Sequence, residues 1–388
     1  MKLSNLQDYV RSSAAIRSRT QLQPAGGEGD KVFPPTYLGS KYAEEERIDP
    51  ATGERLKCVL LDSVQSQANR MEEALQHAID RGLIKLPLIV VDFSDAELID
   101  PVGRISSLQV PHRISDAILR DSEINGTSFR DSEYGKRIDQ ASLSNATPLF
   151  DVCPTALLFG IWDSTGPKGG LGVKFARAIV SEVVGMDAQI GVRTSSRIDP
   201  LQIRAGAQVI KTKDGWTNAT EKKAKGAVSP SEINHGNIPP DIAAGGVTIR
   251  YALQTTVISL PGLRRLRFPL NGVVSPVVDD AARTVLAALG LCAATLAAET
   301  GFDLRSRCLL WPTEAMKWEV LSTPGKAPEH FTLDSQSATR LLDDALESAV
   351  RAGLPWRTEP IVLKPSPNFV RLLQRSQELA ATSESVEG

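Results

Sequence analysis

Lys168, Lys174 and Arg177 stand in and just after a loop that also holds Gly160, Gly166, Gly169, Gly170 and Gly172. The stretch reads PTALLFGIWDSTGPKGGLGVKFARAIVSE over residues 154–182. Glycines let a backbone approach a ligand closely and reach positive φ. A helix N-terminus offers unpaired N–H groups and a partial positive charge. The apolar run from Thr155 to Trp162 predicts a strand before the loop, and the pattern from Val173 predicts a helix after it. Strand, glycine loop and basic helix start would together hold phosphate groups, either a nucleotide's or those of a nucleic-acid backbone. The spacing fails the Walker A test, since Gly172 is followed by Val173 and Lys174 by Phe175, where that motif needs Gly-Lys-Ser/Thr. A tight turn that only shapes the chain is the alternative without a ligand.

The other reactive side chains are scattered. Of the four histidines, His77 falls on the polar side of a helix, and His112 lies four residues before Asp116, which could orient an imidazole. Cys58, Cys153, Cys292 and Cys308 show no CxxC spacing, and no His, Cys, Asp and Glu set has metal spacing. No G-x-S-x-G nucleophile elbow occurs. Arg113 and Arg120 are two helical turns apart and would share a face if residues 112–120 are helical. Asp116, Asp121, Glu123, Asp131 and Glu133 nearly cancel them and their neighbours Arg130, Lys136 and Arg137, so solvated ion pairs explain that cluster as well as ligand contacts do.

The elements that must position these residues follow from periodicity. Arg17–Leu22 reads as a strand with Arg17 and Arg19 on one face. Cys58–Leu61 reads as a short buried strand. Asp62 or Ser63 caps a helix over 66–81, with Val64, Ala68, Met71, Leu75, Ala78 and Ile79 inward and Gln65, Gln67, Asn69, Arg70, Glu73 and Gln76 outward. Leu86–Phe93, Gln189–Arg197 and Gly246–Leu260 read as strands, Gly126–Arg130 as a hairpin, and Tyr134–Leu143 as a helix. Arg264–Phe268 is a basic turn entering a further strand. Val277–Thr300 is a helix apolar on nearly every face, and Ser335–Ala352 is the last helix. Residues 24–57 and 211–245 read as irregular excursions, and 376–388, with three glutamates and no base, as a disordered acidic tail. Two long helices over a sheet give an α+β chain, organised as one elaborated domain over 1–388, for which the ferredoxin-like split β-α-β plan is the simplest layout.

The chain has 388 residues and a formal charge of −2, so no global field draws it to nucleic acid. Basic character is local: residues 164–213 carry eight Lys/Arg, Arg197 among them, against three acidic residues, a net of +5. The polar, charged residues 1–20 do not read as a signal peptide, and the alanine-rich run within 281–298 reads as a buried helix. A soluble cytoplasmic protein without a membrane partner, metal or cofactor is the expectation.

Several segments then resemble one family as an ordered set. They are Phe33-Pro34-Pro35-Thr36-Tyr37, Leu61 to Glu72 (LDSVQSQANRME), Pro111-His112-Arg113, Asp116 to Ser122 (DAILRDS), Asn145-Ala146-Thr147, Pro154 to Gly160 (PTALLFG), Trp162 to Gly166 (WDSTG) and Ser196 to Leu201 (SRIDPL). Across roughly residues 14–205 the chain resembles the backbone subunit of the type I-G (formerly I-U) CRISPR effector complex, within the RAMP superfamily; the C-terminal half matches only in layout. The resemblance implies a modified ferredoxin-like (RRM-like) fold with inserted thumb and finger elements, the thumb falling in 211–245 or 121–137. It implies copies stacked head to tail on CRISPR RNA, presenting the guide for pairing with target DNA beside other type I-G subunits, with target cutting left to a separate helicase-nuclease. Such a subunit is no enzyme.

On this reading Lys168, Lys174 and Arg177, beside the Gly169 and Gly170 N–H groups, would line the RNA track. Ser63, Gln65, Gln67, Asn69 and Arg70 would meet phosphates or 2′-hydroxyls at the start of the first long helix. Arg17, Arg19, Arg113, Arg120 and Arg197 complete the candidate RNA contacts. Two alternatives stand: a RAMP-type endoribonuclease acting on guide or target RNA through His112 or Asp131, and a nucleotide-binding protein built on the glycine loop.

Overall fold

The computed structural model describes residues 1–49, 51–163, 174–212, 215–219 and 224–387. The chain divides into two compact units. The larger comprises residues 1–95, 102–189 and 248–366; the smaller comprises 96–101, 190–247 and 367–388. The architecture is α+β.

The larger unit is built on a nine-stranded sheet. Its strands are β1 (Ala15–Pro24), β2 (Glu44–Ile48), β3 (Arg55–Asp62), β4 (Ile179–Met186), β5 (Tyr251–Ser259), β6 (Phe302–Arg305), β7 (Cys308–Pro312), β8 (Trp318–Leu321) and β9 (Glu329–Phe331). The order is β6-β7-β1-β5-β4-β3-β2, with β8 also on β1 and β9 on β8, and these pairs are antiparallel. β1 alternates as a one-faced strand should: Ile16, Ser18, Thr20 and Leu22 are buried, while Arg17, Arg19, Gln21 and Gln23 point the other way. Arg17 and Arg19 thus share a face, as the sequence predicts.

The helices α1 (Leu3–Ser12), α2 (Val64–Asp80), α3 (Pro276–Glu299) and α4 (Ser335–Arg351) supply the other layer. α3 is buried along Val278–Leu296 because it packs against α1, α2 and α4 at once. Its length and composition would suit a membrane span, but its burial makes it the core helix of this unit. Each fully buried leucine of that helix, such as Leu286 or Leu289, contributes about 2 kcal/mol of apolar burial. α2 lies on the path from β1 to β4, which β5 separates in the sheet. α3 lies on the path from β5 to β7 and β8, on the far side of β1. Each crossover therefore skips one strand.

A polar seam fixes α2 on the sheet. The buried Asp62 carboxylate accepts hydrogen bonds from Gln67 Nε2 at 2.7 Å and Arg70 Nε at 2.9 Å, and Arg305 pairs with it at 3.4 Å. Gln67 Oε1 accepts from Ser181 Oγ at 3.0 Å and Gln254 Nε2 at 2.9 Å. The outward position expected for Gln67 is therefore corrected: it is buried, because the sheet beneath offers it polar partners.

A second sheet of the larger unit joins Arg104–Ser106, Ile89–Asp92, Ile361–Pro365, Ser122–Ile124 and Thr127–Ser128 in that order. The basic turn expected over Arg264–Phe268 begins at the end of a short helix, Leu260–Arg264. The four cysteines are buried free thiols, and burial pushes Cys292 up to about 12 and Cys308 up to about 11.

The smaller unit holds a two-stranded ribbon of Gln189–Arg197 and Ile238–Thr248, and a three-stranded sheet of Gly215–Asn218, Val209–Thr212 and Ala227–Val228. The 211–245 segment thus carries strands among its described residues. Its helix Pro367–Glu387 runs through the stretch read from sequence as an acidic tail, and Gln374 and Gln377 donate to the carbonyls of Glu97 and Asp100.

Candidate nucleic-acid interface

The chain leaves β3 at Asp62 and turns into α2 through Ser63, whose side chain accepts from the Ser66 N–H at 3.2 Å. That cap sets Gln65 and Asn69 on the exposed side of the first two turns. Opposite them lies a segment that corrects two sequence expectations. Pro154–Phe159 is a short buried helix, not a strand. A short apolar run suits either state, and Pro154 in the first turn favours the helix here. The helix expected from Val173 does not form over its described residues: Lys174–Phe175 is a strand paired with Ile161–Trp162, and β4 follows with alternating inward Ile179, Ser181 and Val183. Lys174 and Arg177 therefore reach the site from a strand and a loop, with no helix N-terminus behind them. Lys168, Gly169 and Gly170, with Gly166 and Gly172, lie outside the described residues.

These pieces enclose an open cleft of about 840 Å³. Gln65, Asn69, Arg113, Arg120, Lys174 and Arg177 line it, together with His112, Ser115, Gly160 and Trp162. Six residues singled out from sequence, more than a hundred positions apart at the extremes, thus face one space. Among the described residues neither Lys174 nor Arg177 has a carboxylate within ion-pairing distance, whereas Arg120 pairs with Asp121 at 2.9 Å and Asp163 pairs with Arg130 at 3.0 Å. The cleft carries a surplus of positive charge.

Arg113 forms the floor. Its backbone sits at φ +50°; its guanidinium donates to the Glu72 carboxylate through Nε and Nη2 at 2.6 and 2.7 Å and to the Gly160 carbonyl through Nη1 at 3.3 Å. It also lies 5.4 Å from the centre of the Phe159 ring. Residues 112–120 are not one helix: Asp116 is extended at ψ 146° between a single 3₁₀ turn and the short helix Ala117–Arg120. Arg113 and Arg120 therefore share no helical face, and the buried Arg113 is held by the fold. Burial pushes the Glu72 carboxyl up to about 7, against the pull of Arg113 and, more weakly, Arg177. Asp116 does not orient the His112 imidazole. It accepts from the His112 and Ile118 backbone N–H groups at 3.1 and 3.0 Å and so caps the turn.

The remaining candidates stand elsewhere. Arg17 pairs with Glu319 across the β1–β8 ladder, Arg19 is exposed on β1, and Arg70 is taken up by Asp62 and the Asp303 and Leu304 carbonyls. In the smaller unit Arg197 donates to the His235 and Gly236 carbonyls at 3.1 Å each. Asp131 accepts from Ser128 Oγ at 2.7 Å in the hairpin that precedes the helix Glu133–Ile138. Among the described residues no group of His, Cys, Asp and Glu could hold a metal ion.

Two features of the cleft escape the sequence reading. Glu72 looks like any exposed helix glutamate until Arg113 meets it. Trp162, 62 % exposed, carries one signal, an aromatic at the mouth of a basic glycine-rich loop.

Comparison with curated proteins gives no match. Residues 16–190, a span that contains every residue lining the cleft, match the family model of CRISPR-associated protein GSU0053, and that match supports a CRISPR-associated protein.

Proposed function

We propose that the chain is the RNA-binding backbone subunit of a type I-G CRISPR effector complex. It would line up head to tail in copies along the CRISPR RNA in the cytoplasm, beside other type I-G subunits, and present the guide for pairing with target DNA. It cuts nothing itself and needs no cofactor or metal. The observation that carries this reading is the cleft, where Lys174 and Arg177 stand without acidic partners among the described residues, opposite the amide side chains of Gln65 and Asn69. Cations of this kind meet phosphates, and amides meet 2′-hydroxyls or base edges. The order of β1, β4, β5, β7 and β8, with α2 and α3 each crossing over one strand, is that of a split β-α-β plan and supports the RRM-like RAMP fold.

Filter binding of single-stranded guide-like RNA at several salt concentrations tests the reading. The double variant Lys174→Ala, Arg177→Ala should weaken binding across all sequences and reduce the salt slope by roughly 0.7 for each phosphate the protein no longer neutralises. An unchanged affinity and slope would remove the cleft from the RNA path. RNA recovered from the same titration should be intact; cleavage lost on His112→Ala would favour the endoribonuclease reading instead.

A further inference from the structure

Beyond phosphate binding, we infer that the cleft reads a nucleotide's base as well as its backbone, with Trp162 as the stacking platform. This rests on the reading of the cleft as an RNA site. Trp162 and Lys174 are direct partners across a short antiparallel ladder. The Lys174 ammonium stands 5.3 Å from the centre of the Trp162 ring, a cation–π distance. The ammonium thus lies over one face of the indole, while 62 % of the residue remains exposed. An exposed tryptophan beside cations in a concave cleft offers a flat apolar face on which a planar group can stack.

The surroundings select what that is. The cleft that Trp162 lines mixes apolar residues such as Ile161 and Phe175 with cationic or hydrogen-bonding ones, Lys174, Arg177, His112 and Asn69 among them. A purely apolar partner would bury these without compensation. A nucleotide satisfies both sets, its base stacking on the open indole face and its phosphates meeting Lys174 and Arg177. Stacking on aromatic side chains beside a cationic track is how single strands are held without sequence preference. A duplex keeps its bases stacked on one another and could not use the platform, so the ligand class is single-stranded RNA with accessible bases.

The test separates stacking from charge. The full chain is titrated with a single-stranded RNA and with an abasic RNA of the same length, which carries the same phosphates without bases. The unaltered protein should prefer the normal strand, and Trp162→Leu should lose at least about 5-fold of that preference. Trp162→Phe, which keeps a ring, should retain most of it and controls for folding. Arg177→Ala, which leaves the Trp162–Lys174 contact intact, should weaken both strands alike and leave the ratio unchanged. A Trp162→Leu protein that still discriminates as well as the unaltered one overturns the platform while leaving the RNA site standing. If the unaltered protein binds neither strand, the RNA reading of the cleft falls, and the platform with it.

Discussion

Glu72 and Arg113 show what a single residue can do beneath a functional surface. Both are almost fully buried, so their ion pair must offset the loss of water around two charges. The carboxyl's ordinary value is 4.5, and burial carries it up to about 7 in spite of the guanidinium. The folded chain therefore favours the protonated form more than the unfolded chain does. Its contribution to stability is full below pH 4.5 and is lost as pH rises through about 7. Measured by chemical denaturation, the stability of the unaltered protein relative to Glu72→Gln should fall across that window, by about 3 kcal/mol at most. A difference that instead grows with pH would show the pair holding Glu72 ionised throughout. None of this is legible in the chain. Arg113 reads as a ligand contact because a helix over 112–120 would set it on one face with Arg120, whereas the chain is extended at Asp116 and Arg113 holds Glu72 of α2.

At the scale of elements, sequence patterns succeed where one period runs long. α2, α3 and α4 carry 17, 24 and 17 residues of consistent pattern, and β1 alternates over 10. They fail over 154–182, where the elements are short. Six buried residues from Pro154, all apolar but Thr155, fit a helix as well as a strand, and β4 hides behind a basic stretch that looks like a helix start. What settles the local path is Gly160. Its φ of +83° turns the chain out of the short helix, and a Cβ there would stand 3.0 Å from the Arg177 backbone nitrogen and 3.1 Å from the Phe175 carbonyl. Gly160→Ala should therefore cost about 1–3 kcal/mol and displace Arg177 from the cleft, weakening RNA binding. Thermal melting and the RNA titration check this together; an alanine variant with unchanged melting and unchanged affinity would show that the turn is dispensable to the site.

The whole molecule poses a problem of charge. A chain of formal charge −2 has no field to gather RNA, and the surplus cations in its cleft are few. One copy should bind weakly. Copies held side by side on one strand change the arithmetic, because each further binding event draws on a high effective concentration. An interface that joins copies head to tail without closing allows that series to continue for as long as the RNA does. The layered frame for such a subunit is readable from its long helices. In the smaller unit Gln189–Arg197 is readable as a strand, but the three-stranded sheet is not, because its strands over 209–228 are two to four residues long and pair Val209 with Val228, too short and too distant for periodicity to register. The proposal makes the oligomer a function of the ligand. Light scattering of the full chain should give one mass without RNA, and with single-stranded RNAs of increasing length the protein mass per particle should climb in steps of one copy. The Lys174→Ala, Arg177→Ala variant should need a longer strand to reach the same step, since each copy then contributes less. A single copy bound at every RNA length would leave the cleft as an RNA site but end the backbone-subunit reading.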